Sequence, residues 1–332
     1  MSHNSIKDLD STVFHNYEDL FTVIGTSDEN IEKLSSAPYS YWRETIKQLF
    51  KKPLAIICFV VLFILLFFTI FGPMMSFHEY YSDGGSRLAE YFEPNLGWNS
   101  VNWFGTGGNQ QGYFKGLDLW TCVWIGTRRS LLLATVVALI DTVLGIIMGS
   151  LWGYFRKLDP ILIELRNFIS NIPDLLLYFL LMQFLRPSFW VLVMLLCMFG
   201  WMGLAGFIRN QIIIIRNRDY NIASVTLGSS SRAMITHNLL PYLISVIVTV
   251  ISTAIPAAVS SEVGLAFFGL SFSPTYGEIT LGQLLTSVTN TGEWQTHPNL
   301  LIVPLIVMVP LTVTFFYLGL VLADATDPKN HR

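Results

Sequence analysis

The chain has 332 residues, of which 52% are hydrophobic and only 13% are charged, and its formal net charge is -3. Soluble domains usually carry about 25% charged residues, so this composition indicates a protein that lies largely in lipid. The slightly negative balance excludes a nucleic-acid-binding protein, which would need a basic patch for the phosphates.

The first forty residues are polar and acidic, and they lack the basic start of a cleaved signal peptide. We therefore expect residues 1–45 to form a cytoplasmic N-terminal tail. The three cysteines lie far apart, which argues against a disulfide framework and a CxxC metal site. They are Cys58, Cys122 and Cys197, and the sequence predicts that they are packing residues.

Six segments are long and apolar enough to cross the hydrocarbon core as helices, which takes about 20 residues each. In chain order they cover residues 54–71, 130–152, 162–185, 189–208, 242–263 and 300–323. The third contains polar and helix-breaking residues, so we expect neighbouring helices to shield it from lipid. These are Arg166, Asn167, Asn171, Pro173 and Asp174. The predicted fold class is an all-α membrane protein with six transmembrane helices.

The distribution of Lys and Arg predicts the orientation, because positive residues are retained on the cytoplasmic side. With the N-terminus inside, fifteen of the 20 Lys and Arg residues fall on the cytoplasmic side. The five on the outer side are Arg87, Lys115, Arg128, Arg129 and Arg186. The sequence therefore predicts a multi-pass protein of the cell membrane with both termini in the cytoplasm.

The predicted spans divide the chain after its N-terminal tail. The first transmembrane helix is expected over residues 46–73, and an extracellular loop over residues 74–127. A core with the other five helices follows over residues 128–323. This core includes a cytosolic loop at 209–241, and residues 324–332 form a cytoplasmic tail.

The cytosolic loop at 209–241 is long for a connection between bundle helices, which indicates a functional role. Small residues at Ala223 and Ser224 allow another surface to approach a short helix closely. Gly228 is placed to end that helix in the left-handed conformation that glycine adopts readily. One of the serines that follow is expected to cap the next helix.

This loop resembles the EAA loop of ABC-importer permeases, whose short helix docks into a groove of a separate ATPase subunit. Ala223 and Ser224 take the two alanine positions, and Ile222 stands where the family usually has glutamate. That departure concerns the charged contact with the ATPase and not the docking geometry. The resemblance implies an ATPase-coupling surface formed by Tyr220, Ala223, Ser224, Gly228, Leu240 and Pro241.

From about Tyr39 onward, the chain is similar to the C-type permease subunit of the oligopeptide and dipeptide importers. Landmarks of that family occur in order along the chain. They include Gly126, Arg128 and Ser130 at the second span, Gly149 and Asp159 at its exit, Ile172 and Pro173, Trp201, Ala205 and Arg209, Glu262 to Leu270, and Asp324 to Lys329. The stretch from Gly105 to Gly126 is longer than the family pattern, and the acidic tail has no counterpart in it.

The resemblance implies the transmembrane domain of a type I ABC importer, forming half of a pathway for oligopeptides. The implied partners are a second homologous permease subunit, two cytosolic ATPase subunits with ATP and Mg²⁺, and an extracellular peptide-binding lipoprotein. Dipeptides and nickel chelates stay open as substrates. The chain contains neither G-x4-G-K-[ST] nor H-E-x-x-H, so we expect no catalytic residue, metal or cofactor in it.

Four polar residues in the predicted membrane segments are candidates for the substrate pathway, because an unpaired carboxylate is costly in lipid. They are Asp141, Asn171, Asp174 and Glu262. Asp141 lies deepest, and it either binds the amino end of a peptide or forms a hydrogen bond between helices. Asp174 and Glu262 also fit positions near the membrane interfaces.

Two other functional classes remain open on sequence grounds. A secondary transporter would carry substrate without ATP, although the inverted repeats typical of that class are not recognisable between residues 54–185 and 189–323. A non-transporting scaffold or sensor subunit would use the same ATPase-docking loop. ATP-dependent uptake in a reconstituted system separates these classes.

Overall fold

The structure is a computed structural model that describes residues 41–75, 93–108, 116–185, 188–271 and 279–326. All of these except Tyr41 belong to one compact unit, Trp42–Arg332. The acidic tail before Tyr39 and the end of the predicted landmark series, Asp327 to Lys329, lie outside the described residues.

Helices account for nearly all regular structure in these ranges. They are α1 (Tyr41–Lys51), α2 (Pro53–Met75), α3 (Leu119–Tyr154), α4 (Asp159–Ser170), α5 (Asp174–Phe184), α6 (Phe189–Arg216), α7 (Asp219–Thr226), α8 (Ser231–Ala233), α9 (Ile244–Phe267), α10 (Leu281–Thr291) and α11 (Asn299–Thr326). Extended pairing within the described residues is confined to an isolated bridge between Thr106 and Asp118. The predicted all-α class is confirmed.

Five of the described helices are long and apolar enough to cross a membrane, namely α2, α3, α6, α9 and α11. The prediction of one continuous helix over residues 162–185 is wrong, because α4 ends at Ser170 and α5 begins at Asp174. Pro173 explains the break, since proline lacks an N–H donor and disfavours helical geometry at the preceding residue. The third predicted span is therefore a pair of short helices.

The helices α3 and α6 form the most extensive helix pair described. Gly145, Gly149 and Gly153 are spaced four residues apart along one side of α3. A Cβ added at Gly149 would lie 2.7 Å from the carbonyl oxygen of Ala205, and one at Gly153 would lie 2.9 Å from that of Arg209. Glycine at this spacing lets two membrane helices pack backbone against backbone.

The C-terminal end of α2 is tied to α3 by a carbonyl that Pro73 leaves without an intrahelical donor. Pro73 has no N–H, so the carbonyl of Thr69, four residues earlier, needs another partner. Arg128 on α3 donates from Nε to Thr69 at 3.2 Å and from Nη2 to the carbonyl of Ile70 at 2.8 Å. The arginine thus stabilises a helix end that proline would otherwise weaken.

Buried apolar side chains form clusters along the bundle. One cluster surrounds Trp120 and includes residues of α10, and we call this end of the bundle the α10 end. A second cluster surrounds Leu195 in the middle of the bundle. A third cluster surrounds Ile208, near the place where α7 begins, and we call this end of the bundle the α7 end. The three cysteines are free and buried, as expected for packing residues: Cys58, Cys122 and Cys197.

Candidate functional site

The predicted coupling residues lie on and directly after α7, whose outward side is apolar. Tyr220 is 50% exposed, Ile222 is 51% exposed, and Leu227 just after the helix is 88% exposed. Ala223 is also exposed, and it shares one helix face with Tyr220 and Leu227 because residues three and four positions apart lie together. The helix therefore presents an apolar surface with a small residue at its centre.

The opposite side of α7 is fixed to the bundle by Asn221, which is fully buried. Its Nδ2 donates to the carbonyl of Ile215 in the last turn of α6 at 2.9 Å, and its Oδ1 accepts from Asn238 at 3.3 Å. The sequence analysis did not identify this residue. Its signal is an amide that alternates with exposed apolar neighbours in a short helix.

The predicted end of α7 is confirmed in detail. Gly228 has φ of +91°, the left-handed region. Its N–H donates to the carbonyl of Val225 at 3.0 Å, and the N–H of Ser229 donates to that of Ser224 at 3.1 Å, which together form a Schellman motif. Ser230 then caps α8 through its Oγ, confirming the predicted serine cap.

Leu240 and Pro241 lie where the helix geometry changes between α8 and α9. A π-helical turn over Met234–Leu239 leads into a 3-10 turn over Pro241–Leu243. Leu240 packs against the apolar cluster at the α7 end, whereas Pro241 is exposed. Among the predicted coupling residues, Leu240 thus joins the loop to the bundle while Tyr220 and Ala223 face outward.

A groove of about 480 Å³ separates α7 from the connection between α3 and α4. Arg216, which lines this groove, donates from Nη1 to the carbonyls of Gly153 and Tyr154, both at 2.8 Å. These carbonyls belong to the last turn of α3, where a cation is favourable. Arg216 and the Asn221 bond therefore connect α7 with the ends of α3 and α6.

Two landmarks of the family resemblance, Asp159 and Arg209, form a bidentate ion pair between the start of α4 and α6. Nε and Nη2 of Arg209 both donate to the carboxylate, the second at 2.7 Å. Trp152 adds a bond from Nε1 at 2.9 Å, and the guanidinium lies 5.4 Å from the centre of its ring. The hydrogen bonds from Arg209 hold the pKa of Asp159 below its usual range.

We expect Asp159→Asn to destabilise the isolated permease at neutral pH by about 2 kcal/mol, because charged hydrogen bonds are lost. The folded-state pKa of Asp159 is lowered, so its stabilising effect is complete above the usual carboxylate pKa near 4. It is lost as the pH falls through the lowered value. The difference in thermal unfolding temperature between wild type and variant, measured in detergent, should therefore shrink below about pH 4.

Glu164→Gln is the matched control for this measurement, because Glu164 is an exposed carboxylate on the same helix, α4. We expect it to change the unfolding temperature little at any pH. An Asp159→Asn effect that stays constant from pH 7 to pH 3 would contradict the role of the ion pair.

A cavity of about 380 Å³ lies between α3, α5, α6 and α9. Asp141 on α3 and Asp174 on α5 both line it, together with Thr142 and Tyr178. The structure thus brings together two of the four residues predicted for the substrate pathway. Most of the remaining lining side chains are apolar, and the cavity volume is within the range of small-molecule pockets.

Asn171 lies outside this cavity, at the break between α4 and α5. Its side chain is exposed, and Nδ2 donates to the carbonyl of Asn167 at 2.7 Å. This local bond is typical of an amide near a helix end. Its predicted part in the substrate pathway stays a prediction.

Glu262 also lies outside the cavity, in a buried polar centre near the α10 end. It is 1% exposed, and its Oε2 accepts from Ser130 Oγ at 3.0 Å. Ser130 in turn accepts from the N–H of Leu281, the first residue of α10, at 3.1 Å. Glu262 on α9 is therefore linked through α3 to α10, an arrangement that fits a structural carboxylate near a helix N-terminus.

The sequence analysis did not predict α10, which lies between the predicted spans 242–263 and 300–323. Thr280 and Gln283 form a capping box at its start, with the Gln283 N–H donating to Thr280 Oγ1 at 3.2 Å. The sequence signal is a threonine followed three residues later by glutamine and then by apolar residues. Gly126, one of the landmarks, leaves room for this helix start, since an added Cβ would lie 3.2 Å from the Leu281 nitrogen.

The sequence of this chain matches two families of transport permeases. Residues 142–331 match the family of the binding-protein-dependent transport system inner membrane component. Residues 40–94 match the N-terminal transmembrane domain of oligopeptide transport permease C. The first match covers more than half of the chain, so the chain belongs to the binding-protein-dependent transport system inner membrane components. With five helices in its described part that are long and apolar enough to cross a membrane, it is a multi-pass membrane permease.

Individual relatives agree with this assignment. The chain is 32% identical over 312 residues to the oligopeptide transport system permease protein AmiD of Streptococcus pneumoniae, covering 94% of this chain and 97% of the relative. It is 29% identical over 296 residues to the dipeptide transport system permease protein DppC of Bacillus subtilis, covering 88% and 87%. For the oligopeptide permease OppC of B. subtilis the identity is 24% over 254 residues, covering 76% and 79%. The resemblance stated from the sequence is confirmed.

Proposed function

We propose that this chain is a transmembrane permease subunit of an ATP-dependent oligopeptide importer. It forms half of the translocation pathway and takes its motion from separate ATPase subunits. The observation that carries the proposal is α7, a short helix with an apolar outward side and a buried side fixed to α6 by Asn221. A helix that is exposed on one side and hydrogen-bonded to the bundle on the other can bind a partner and transmit its movement.

The transmission of movement from α7 into the bundle has a direct physical route. Asn221 binds the end of α6, and Arg216 of α6 binds the last carbonyls of α3. At Gly149 and Gly153 the backbones of α3 and α6 approach closely, and such close packing favours movement of the two helices as one body. Closure of the ATPases on ATP would shift this pair between two arrangements of the pathway.

The proposed assembly contains a second homologous permease subunit, two cytosolic ATPases that bind ATP and Mg²⁺, and an extracellular peptide-binding lipoprotein. Both termini of this chain lie in the cytoplasm, in agreement with the excess of Lys and Arg on that side. The substrate is an oligopeptide, by analogy with the oligopeptide transport system permease protein AmiD, whose match covers 94% of this chain. ATP hydrolysis is assigned to the separate ATPase subunits, because the sequence of this chain contains no G-x4-G-K-[ST] motif.

Reconstitution into proteoliposomes tests the proposal. The permease is combined with a second permease, two ATPases and a binding protein, and uptake of a labelled oligopeptide is measured with and without ATP. We expect uptake only when ATP and the ATPases are both present. Uptake driven by a proton gradient without ATPases would contradict the proposal and favour a secondary transporter. Stable ATPase binding without any uptake would favour a scaffold subunit.

A further inference from the structure

The cavity between α3, α5, α6 and α9 is lined in part by acidic side chains, which is unusual among membrane-spanning helices. Asp141 and Asp174 line it from two helices, and the described residues that line it include no Lys, Arg or His. Asp141 lies midway along the apolar part of α3. Carboxylates at such depth are costly and normally face a partner of opposite charge or a substrate path.

Two polar atoms on the α3 side of this cavity lack a hydrogen-bond partner among the described residues. They are Oδ1 of Asp141 and Oγ1 of Thr142, and both atoms are shielded from solvent. Thr142 as a whole is only 6% exposed. Buried polar atoms are almost always hydrogen-bonded, so a group that enters the cavity can supply the missing bonds once the Asp141 and Thr142 side chains turn toward it.

We propose that this cavity is a subsite of the translocation pathway that binds the free α-ammonium group of a peptide. The inference rests on the proposed function, because it takes the substrate to be a peptide. An ammonium has three N–H donors, and Asp141, Thr142 and Asp174 offer acceptors from two sides of the cavity. A volume of about 380 Å³ accommodates the end of a peptide and not a whole oligopeptide.

The buried centre at Glu262 also has one carboxylate oxygen, Oε1, without a hydrogen-bond partner among the described residues, but Glu262 does not line this cavity. Its Oε2 accepts a hydrogen bond from Ser130, and the carboxylate lies close to the first turn of α10. Around Asp141, the thiol of Cys197 donates to the carbonyl of Val137 at 3.9 Å, and the polar side chains of the cavity lining include the hydroxyl of Tyr178. Neither a thiol nor a hydroxyl carries a positive charge, so a cation that enters the cavity meets no competing charged donor among these groups.

The test uses the complete importer in proteoliposomes and two peptides of one neutral sequence, one with a free amino terminus and one N-acetylated. The measured quantity is the ratio of their ATP-driven uptake rates. Because the binding protein is the same for every permease variant, its own preference cancels when ratios are compared. We expect Asp141→Asn and Asp174→Asn each to lower the preference for the free amino terminus about tenfold.

Two variants control for indirect effects. Asp141→Glu keeps the charge and should retain most of the preference. Glu164→Gln removes one carboxylate from the exposed side of α4, outside the cavity, and should leave the ratio unchanged. If Asp141→Asn does not assemble, the ratios for Asp174→Asn and Thr142→Val decide the question.

An unchanged ratio in the assembled Asn variants, with uptake intact, would overturn the subsite and leave the proposed permease function standing. Absence of ATP-driven uptake by the wild-type importer would instead contradict the proposed function. A third peptide, N-acetylated and carrying one lysine, separates the two sources of a cation. If only its uptake falls in the Asn variants, the assignment to the amino terminus is overturned in favour of a side-chain ammonium.

Discussion

Ala223→Trp is expected to abolish ATP-driven transport and the association of the ATPase subunits together. Ala223 is exposed on α7, on the same face as Tyr220 and Leu227. An indole there projects from the proposed docking surface and keeps a closely fitting partner away, while the buried contacts of Asn221 stay in place. The measurements are copurification of the ATPases with the tagged permease and peptide uptake in proteoliposomes.

Gln295→Trp provides the control, because it adds the same bulk to an exposed turn near the α10 end of the bundle. We expect this variant to retain its ATPase subunits in full. Normal ATPase association in Ala223→Trp would contradict the coupling assignment. Equal loss from both variants would contradict the placement of the docking surface on α7.

The second large effect is expected for Gly149→Val, which should destabilise the permease by about 3 kcal/mol. An added Cβ at this position would lie 2.7 Å from the carbonyl oxygen of Ala205 and 2.9 Å from Cβ of Ile208. Both contacts involve atoms close to the backbone of α6, so no side-chain rotation relieves them and the two helices must separate. The thermal unfolding temperature in detergent, followed by size-exclusion chromatography, measures the loss.

Gly203→Val is the matched control, since Gly203 lies within α6 and an added Cβ there meets no atom within 4 Å. We expect it to change the stability by less than about 1 kcal/mol, the cost range of exposed helix substitutions. A similar drop in unfolding temperature for both variants would show that valine in these helices is harmful in itself. That result would contradict the backbone-contact explanation for Gly149.

The long apolar helices could be predicted because each carries its signal in its own residues. Length and hydropathy together locate α2, α3, α6, α9 and α11. The turn chemistry at Gly228 and Ser230 could also be predicted, since a left-handed glycine and a serine cap depend on local conformation. Both kinds of feature need no knowledge of which helices are neighbours.

Other parts of the fold could not be predicted reliably from composition along the chain. The mean hydropathy of residues 162–185 is taken over the residues on both sides of Pro173, so this average does not reveal the break between α4 and α5. The helix α10 is short and lies in a segment of moderate polarity, so only its capping box identifies it. Its position depends on contacts with α3 and α9, which are remote in sequence.

For the candidate site, the sequence identified residues but not their pairings. Asp159 and Arg209 were both recognised as landmarks, and their ion pair depends on the close crossing of α3 and α6 that Gly149 and Gly153 permit. Likewise Asp141 and Asp174 were both candidates, and only the packing of α5 against the cavity brings them together. These contacts depend on the tertiary fold, so they cannot be read from individual positions in the sequence.

The apolar outward side of α7 has a consequence for the temperature and salt response of the proposed complex. Asp219, in its first turn, is the one charged residue of this helix. Dissolved salt screens charged contacts but does not weaken apolar burial, whereas cooling weakens apolar burial. An ATPase held mainly by this surface would withstand a high-salt wash and loosen in the cold.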